Sequence, residues 1–130
     1  MKKEKIYIFD AYGTLLDIDS ACRNLSKYIG DDWITLTTIW RQKQLEYSWL
    51  RNGMNCYISF WEITKDALSY AMKSLGLEDN DLKEKLLNLY FNIESYSEVK
   101  EFLEELKKNK FKICILSNGS TNMLKSGLKS

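Results

Sequence analysis

The chain has 130 residues, 45% apolar and 28% charged, which suits one soluble ordinary domain or a core carrying an insert. Nineteen Lys and Arg against 18 Asp and Glu leave a formal charge of +1, so no long-range field favours nucleic acid or an anionic membrane. The absence of histidine removes Ser-His-Asp and Cys-His nucleophilic arrangements and histidine metal sites, and the absence of proline leaves helix breaks to Gly, Asn, Asp and Ser.

Met1-Lys2-Lys3-Glu4-Lys5 leads into a short strand pattern without the apolar centre of a secretory signal, and no segment is apolar enough to span a membrane. A cytoplasmic protein is expected. Cys22, Cys56 and Cys114 are odd in number and lack CxxC spacing, against both a disulfide framework and a thiolate metal site. All three are expected to be buried or half-buried.

Lys5-Ile6-Tyr7-Ile8-Phe9 is an apolar, β-branched and aromatic run ending at Asp10, the pattern of a buried strand. "AYGT" then turns away. After Asp17 the period changes to about 3.6, predicting helices over 18–29, 32–51, 58–75 and 79–91. Breaks fall at Gly30-Asp31-Asp32, Asn52-Gly53-Met54-Asn55 and Gly76-Leu77-Glu78-Asp79-Asn80. Asp31 or Asp32 should cap the second helix, Ser59 with Glu62 the third, and Asp79 or Asn80 the fourth. Together they have the look of an inserted bundle.

Ser97-Glu98-Val99-Lys100 opens a fifth helix, with Val99, Phe102, Leu103 and Leu106 on one face and an end near Asn109. Lys107, Lys108 and Lys110 suit its solvated end. Phe111 to Leu116 is a second buried-strand pattern, closing on Ser117-Asn118-Gly119-Ser120, and a last helix starts near Thr121. Strand, long helical crossover, strand implies parallel pairing with a right-handed connection. Both strands then end on one side, with Asp10 beside Ser117 and Asn118 at the carboxyl edge where open α/β sheets place their ligands.

Aspartate is ordinarily ionised at neutral pH, so at a strand's carboxyl end it can attack carbon or phosphorus and form a covalent intermediate without a base. The following loop supplies backbone N–H groups, Gly13 allows its sharp turn, and the Thr14 hydroxyl can orient the Asp10 carboxylate.

These segments carry a resemblance. "FDAYGTLLD" is similar to the first signature of the haloacid dehalogenase superfamily, "SNG" at Ser117 to Gly119 resembles the second, and "WRQKQLEYSWLR" at Trp40 to Arg51 resembles the cap helix of its 2-haloacid dehalogenase branch. The resemblance implies an α/β fold of the Rossmann type with a parallel sheet, of which the first two strands are here, and an inserted helical-bundle cap. Residues 1–16 and 94–130 would form the partial core and 17–93 the cap.

Phosphatases of the superfamily usually place a second Asp two residues after the nucleophile, where it protonates the departing alkoxide and its carbonyl helps hold magnesium. Tyr12 stands there. A halide leaves as a weak base and needs no proton, and a carboxylate substrate carries less charge than a phosphate, so the resemblance implies carbon–halogen cleavage with no metal and no other cofactor. Asp10 then matches the nucleophile, Arg41 the halide-side cation, Asn118 an amide at the halide, Ser117 a donor to the substrate carboxylate, and Thr14 an orienting hydroxyl. Tyr12, Gln42, Leu45 and Phe60 match the wall of the substrate pocket, with plain core packing as the alternative.

The implied reaction takes a small 2-haloacid or related small carboxylic acid: an L-2-haloacid yields a D-2-hydroxyacid and halide through an aspartyl ester. No nucleic acid or membrane partner is implied. A homodimer through the cap helices is expected if Tyr47, Trp49 and Leu50 form a contact rather than bundle core. The superfamily also uses a lysine on a later helix and a fourth, acidic signature. Lys125 and Lys129 follow "SNG" too closely for that lysine, so the expectation is a truncated dehalogenase with an open sheet edge. A metal-dependent phosphatase, or a non-catalytic remnant serving as a helical interaction module, are the alternatives.

Overall fold

The computed structural model describes residues 4–129; Met1, Lys2 and Lys3, the start of the segment that leads into the first strand pattern, and Ser130 lie outside the described residues. Two short strands, β1 (Ile6–Phe9) and β2 (Lys112–Ile115), bracket most of the chain. They pair in parallel, with Ile6 opposite Lys112 and Phe9 opposite Ile115, and Leu116 N–H donates to the Phe9 carbonyl at 2.9 Å, which brings the two carboxyl ends together.

Between them lie α1 (Ser20–Asn24), α2 (Ser26–Ile29), a 3-10 turn (Gly30–Asp32), α3 (Trp33–Gly53), α4 (Phe60–Ser74), α5 (Asn80–Phe91) and α6 (Val99–Lys108); α7 (Thr121–Gly127) follows β2. The long α3 packs along α4, while α1 lies against both α3 and α5. Leu16, Leu36, Trp40, Leu68, Leu86 and Ile93 are almost wholly removed from water, each such aliphatic or aromatic side chain stabilising the fold by about 1.5–3 kcal/mol. No helix among the described residues is long and apolar enough to cross a membrane.

Several expectations are corrected. The strands are not buried: Ile6 is 53% exposed and Ile8 67% exposed. Alternating burial on β2 shows the reason, since Ile113 and Ile115 are half-covered while Cys114 faces solvent. A strand is buried on both sides only between two layers, and here α6 is the element packed against β2. Cys56 is also exposed, so only Cys22 of the three cysteines is buried; all three are free. Burial pushes the Cys22 thiol up to about 12, which keeps it neutral.

The helix expected over 18–29 divides at Leu25, whose backbone leaves the α region, and the 3-10 turn precedes α3. Asp32 precedes α3 in an α-helical conformation and makes no side-chain cap bond, so neither it nor Asp31 caps that helix. A capping side chain reaches back to the N2 or N3 amide only from an extended backbone. Ser59 and Asp79 do adopt one: Ser59 Oγ accepts from Glu62 N–H, and Asp79 Oδ1 accepts from both Asp81 and Leu82 N–H. On α6, Val99 and Leu106 are buried and Leu103 half-buried, but Phe102 is exposed, meeting Phe9 edge-on. Trp49 and Leu50 are exposed and Tyr47 half-buried.

The segments on either side of the long helical stretch run together. Asp17 N–H donates to the Glu94 carbonyl at 2.7 Å and Tyr96 N–H to the Leu15 carbonyl at 3.1 Å. The chain thus leaves the sheet and returns to it at one place.

Candidate active site

Asp10 follows the last residue of β1 and is exposed. Thr14 Oγ1 donates to Asp10 Oδ2 at 3.3 Å. The turn that allows this has Gly13 at φ +88°, a conformation that costs other L-residues about 1 kcal/mol or more. Its backbone N–H groups are used within the loop: Gly13 N–H goes to the Leu16 carbonyl, while Thr14, Leu15 and Leu16 N–H all go to the Ala11 carbonyl. They hold the turn shut, and the threonine hydroxyl orients the carboxylate.

Arg41 reaches this loop from α3. Its Nη2 donates to the Tyr12 carbonyl at 3.0 Å and its Nη1 to Gln44 Oε1 at 2.9 Å. The guanidinium therefore sits over Gly13, 3.6 Å from where a Cβ would stand.

Tyr12 turns its side chain into the interior, where it is 3% exposed. Its ring stacks on Tyr90 at 5.7 Å, meets Phe60 at 5.8 Å, and lies over Gly119, where an added Cβ would stand 2.7 Å from Tyr12 Cε2. Burial, with a smaller contribution from Tyr90, raises the Tyr12 hydroxyl well above the ordinary phenol range. That hydroxyl finds no hydrogen-bond partner among the described residues.

Ser117 Oγ accepts from Gly119 N–H at 3.1 Å, tightening the turn after β2. Asn118 and Phe60 line a recess of about 380 Å³ with Ser48, Trp49, Tyr57 and Ile63. Asp10, Tyr12, Thr14 and Arg41 are thus brought into one contact network that extends through Tyr12 to Phe60 and the 117–119 turn. Gln42 is exposed and Leu45 half-buried on α3, and among the described residues no side-chain hydrogen bond or ring contact joins either to that network.

Three residues of the network carried no signal singled out in the sequence. Gln44, 1% exposed, donates from Nε2 to Thr64 Oγ1 at 2.8 Å and to Tyr90 Oη at 3.1 Å. Thr64 and Tyr90 come from α4 and α5. The available clue was spacing: Gln44 lies three residues after Arg41 and four after Trp40, a polar side chain within a stripe that otherwise buries Leu36 and Trp40.

Comparison with known proteins shows the family. The family model for haloacid dehalogenase-like hydrolases matches residues 4–130. The chain belongs to that family. It is 43% identical over 124 residues to (S)-2-haloacid dehalogenase 4A of Burkholderia cepacia, covering 95% of this chain and 54% of that protein. A crystal structure of a dehalogenase superposes with a TM-score of 0.94 at 41% identity, over 99% of this chain and 57% of the other. L-2-haloacid dehalogenase from Xanthobacter autotrophicus, with chloropropionic acid covalently bound, superposes at TM-score 0.85 and 38% identity, over 98% and 51%. The chain spans about half the length of the curated relatives it matches.

Proposed function

We propose that this chain carries the nucleophile and cap of an (S)-2-haloacid dehalogenase, with residues 1–16 and 94–130 as part of the core and 17–93 as the cap. An Asp10 carboxylate oxygen attacks C2 of an L-2-haloacid, the carbon–halogen bond breaks, and its electron pair leaves with the halide. Water then attacks the carbonyl carbon of the aspartyl ester, regenerating Asp10 and releasing the D-2-hydroxyacid and a proton.

The observation that carries the proposal is the pairing at one loop of an oriented carboxylate with a guanidinium: Thr14 on Asp10, and Arg41 held to the carbonyl two residues beyond. Arg41 receives the developing halide charge, assisted by Asn118, and Ser117 takes the substrate carboxylate. Tyr12, Phe60, Gln42 and Leu45 form the wall that keeps water from the reacting carbon. The similarity to the chloropropionate-bound dehalogenase supports a small 2-haloacid as the substrate class.

The same proposal places the protein in the cytoplasm, which suits three free cysteines. It also includes a homodimer through the cap helices, supported by exposed Trp49, Leu50 and Met54 at the end of α3.

The test is incubation with (S)-2-chloropropionate, measuring chloride release and the intact mass after rapid acid quenching. The expected result is chloride in step with a mass gain of one propionate unit on the peptide containing Asp10, both abolished in Asp10→Asn. Chloride release that is unchanged in Asp10→Asn would refute the covalent mechanism.

A further inference from the structure

Gln44 has one available orientation. Thr64 spends its hydroxyl proton on the Phe60 carbonyl, at 2.7 Å, so its oxygen can only accept from a third partner. Gln44 must therefore turn its NH2 group toward Thr64, which places Oε1 opposite Arg41. A guanidinium has donors alone, so the opposite amide orientation would set NH2 against N–H on one side and leave Thr64 facing a carbonyl on the other. Tyr90 Oη accepts from the same NH2 and lies 3.3 Å from Oε1, reinforcing this setting.

We infer that Gln44 is a positioning residue for Arg41, set by a chain in which Arg41 donates to Gln44, Gln44 to Thr64 and Thr64 to the Phe60 carbonyl, while the other Nη of Arg41 donates to the Tyr12 carbonyl. The chain is buried along most of its length: Phe60, Thr64, Gln44 and Tyr90 are all out of solvent, and Trp40 closes it by donating Nε1–H to the Thr64 carbonyl at 3.0 Å. Without it, Arg41 has one bond to the loop and a flexible stem. With it, both Nη atoms are tethered, and the charge keeps one position as a substrate anion arrives. Pre-set donors of this kind stabilise charge without reorganising during the reaction. Thr64 and Phe60 thereby couple the first turn of α4 to the loop after β1.

The functional part of this inference rests on Arg41 as the anion-side cation, so two readouts are kept apart. The first is the ¹⁵N spectrum of the arginine side chains of the intact chain, with Arg41 signals assigned by their loss in Arg41→Lys. Two tethered Nη atoms should give two separately resolved Nη signals, because rotation about the Nε–Cζ bond is slowed. Thr64→Val, which keeps shape and removes the hydroxyl, should merge them, and Thr64→Ser should restore them. Gln44→Leu provides a second route to the same merging, with circular dichroism checking that each variant is folded. Resolved signals in both Thr64→Val and Gln44→Leu overturn the positioning role.

The second readout is the affinity of the same proteins for (S)-2-chloropropionate by calorimetry, with Asp10→Asn as background to prevent turnover. Arg41→Lys should weaken binding about tenfold, because a point charge cannot replace the fork. Thr64→Val should reproduce much of that loss while Thr64→Ser does not. Equal affinity in Arg41→Lys and its parent would remove Arg41 from anion binding, and with it the functional purpose assigned to Gln44, whatever the spectrum shows.

Discussion

Gly119→Ala and Gly53→Ala make the same change, a methyl group for a hydrogen, and should move stability in opposite directions. At Gly119 the new Cβ would stand 2.7 Å from Tyr12 Cε2 and 3.4 Å from both Leu124 Cγ and Ser117 Oγ. Ordinary carbon–carbon contact begins near 3.5 Å, so the tyrosine ring must retreat by about 0.8 Å. It has nowhere to go, being stacked on Tyr90, tilted against Phe60 and 3% exposed. Overpacking of this kind costs about 1–3 kcal/mol. Gly53 is the last residue of α3, has no positive φ, and offers its Cβ open space, so alanine there stabilises by about 0.4–1 kcal/mol through a less free unfolded chain. Urea unfolding followed by the fluorescence of the four tryptophans, of which Trp40 is buried, measures both. With a slope of about 1–3 kcal/mol per molar, a 2 kcal/mol loss lowers the midpoint by about 0.7–2 M. A Gly119→Ala midpoint at or above the parent's, alongside the expected rise for Gly53→Ala, would show that the Tyr12 ring does not pack on the 117–119 turn.

Alkaline pH should unfold the chain through groups that the fold keeps neutral. Burial lifts Tyr90 from 10.0 to about 12 and Cys22 from 9.0 to about 12, so above pH 9 the unfolded chain has lost protons that the native chain keeps. Stability is then fully present below pH 9 and falls toward pH 12 by about 1.4 kcal/mol per pH unit per group; urea midpoints constant from pH 8 to 11 would contradict it. The two helix starts also make a pair. Asp79→Ala removes an acceptor of two N–H groups and should cost about 0.5–2 kcal/mol, whereas Asp32→Ala, which removes no cap bond, should change the thermal midpoint by less than half as much. Equal losses would restore Asp32 as a cap.

What the sequence made legible was whatever is written locally. The parallel pairing of β1 with β2, the approach of their two carboxyl ends, and the caps at Ser59 and Asp79 each follow from a few neighbouring residues and one chirality rule. Burial was less legible because it belongs to neighbours. Ile8 and Cys114 have the character of interior residues, yet their exposure is decided by which layers cover the sheet. The break at Leu25 was hidden for a different reason. Apolar period registers which face a residue occupies, and α1 and α2 keep that period while the hydrogen-bond ladder restarts between them. Gln44 was least visible of all. An amide in a helix gives no sign of burial until its partners are known, and those partners lie 20 and 46 residues further on.

The placement of Arg41 also bears on which leaving group the loop can serve. Tyr12 occupies the position that the superfamily's phosphatases usually give to an acid, and both of its functions there are changed. Its side chain is turned into the ring stack with its proton held more firmly than in a free phenol, so it is a weaker acid than the carboxyl it replaces. Its carbonyl faces the Arg41 guanidinium at 3.0 Å. A divalent cation drawn to that same oxygen would lie within about 4 Å of an existing positive charge. At an effective dielectric of about 20, repulsion between a single and a double charge at that distance is about 8 kcal/mol. On the proposed function, the loop's cation is supplied by the chain itself, as a planar donor fork rather than an ion. A fork of fixed position suits a single diffuse anion leaving carbon better than it suits a phosphoryl group carrying two charges.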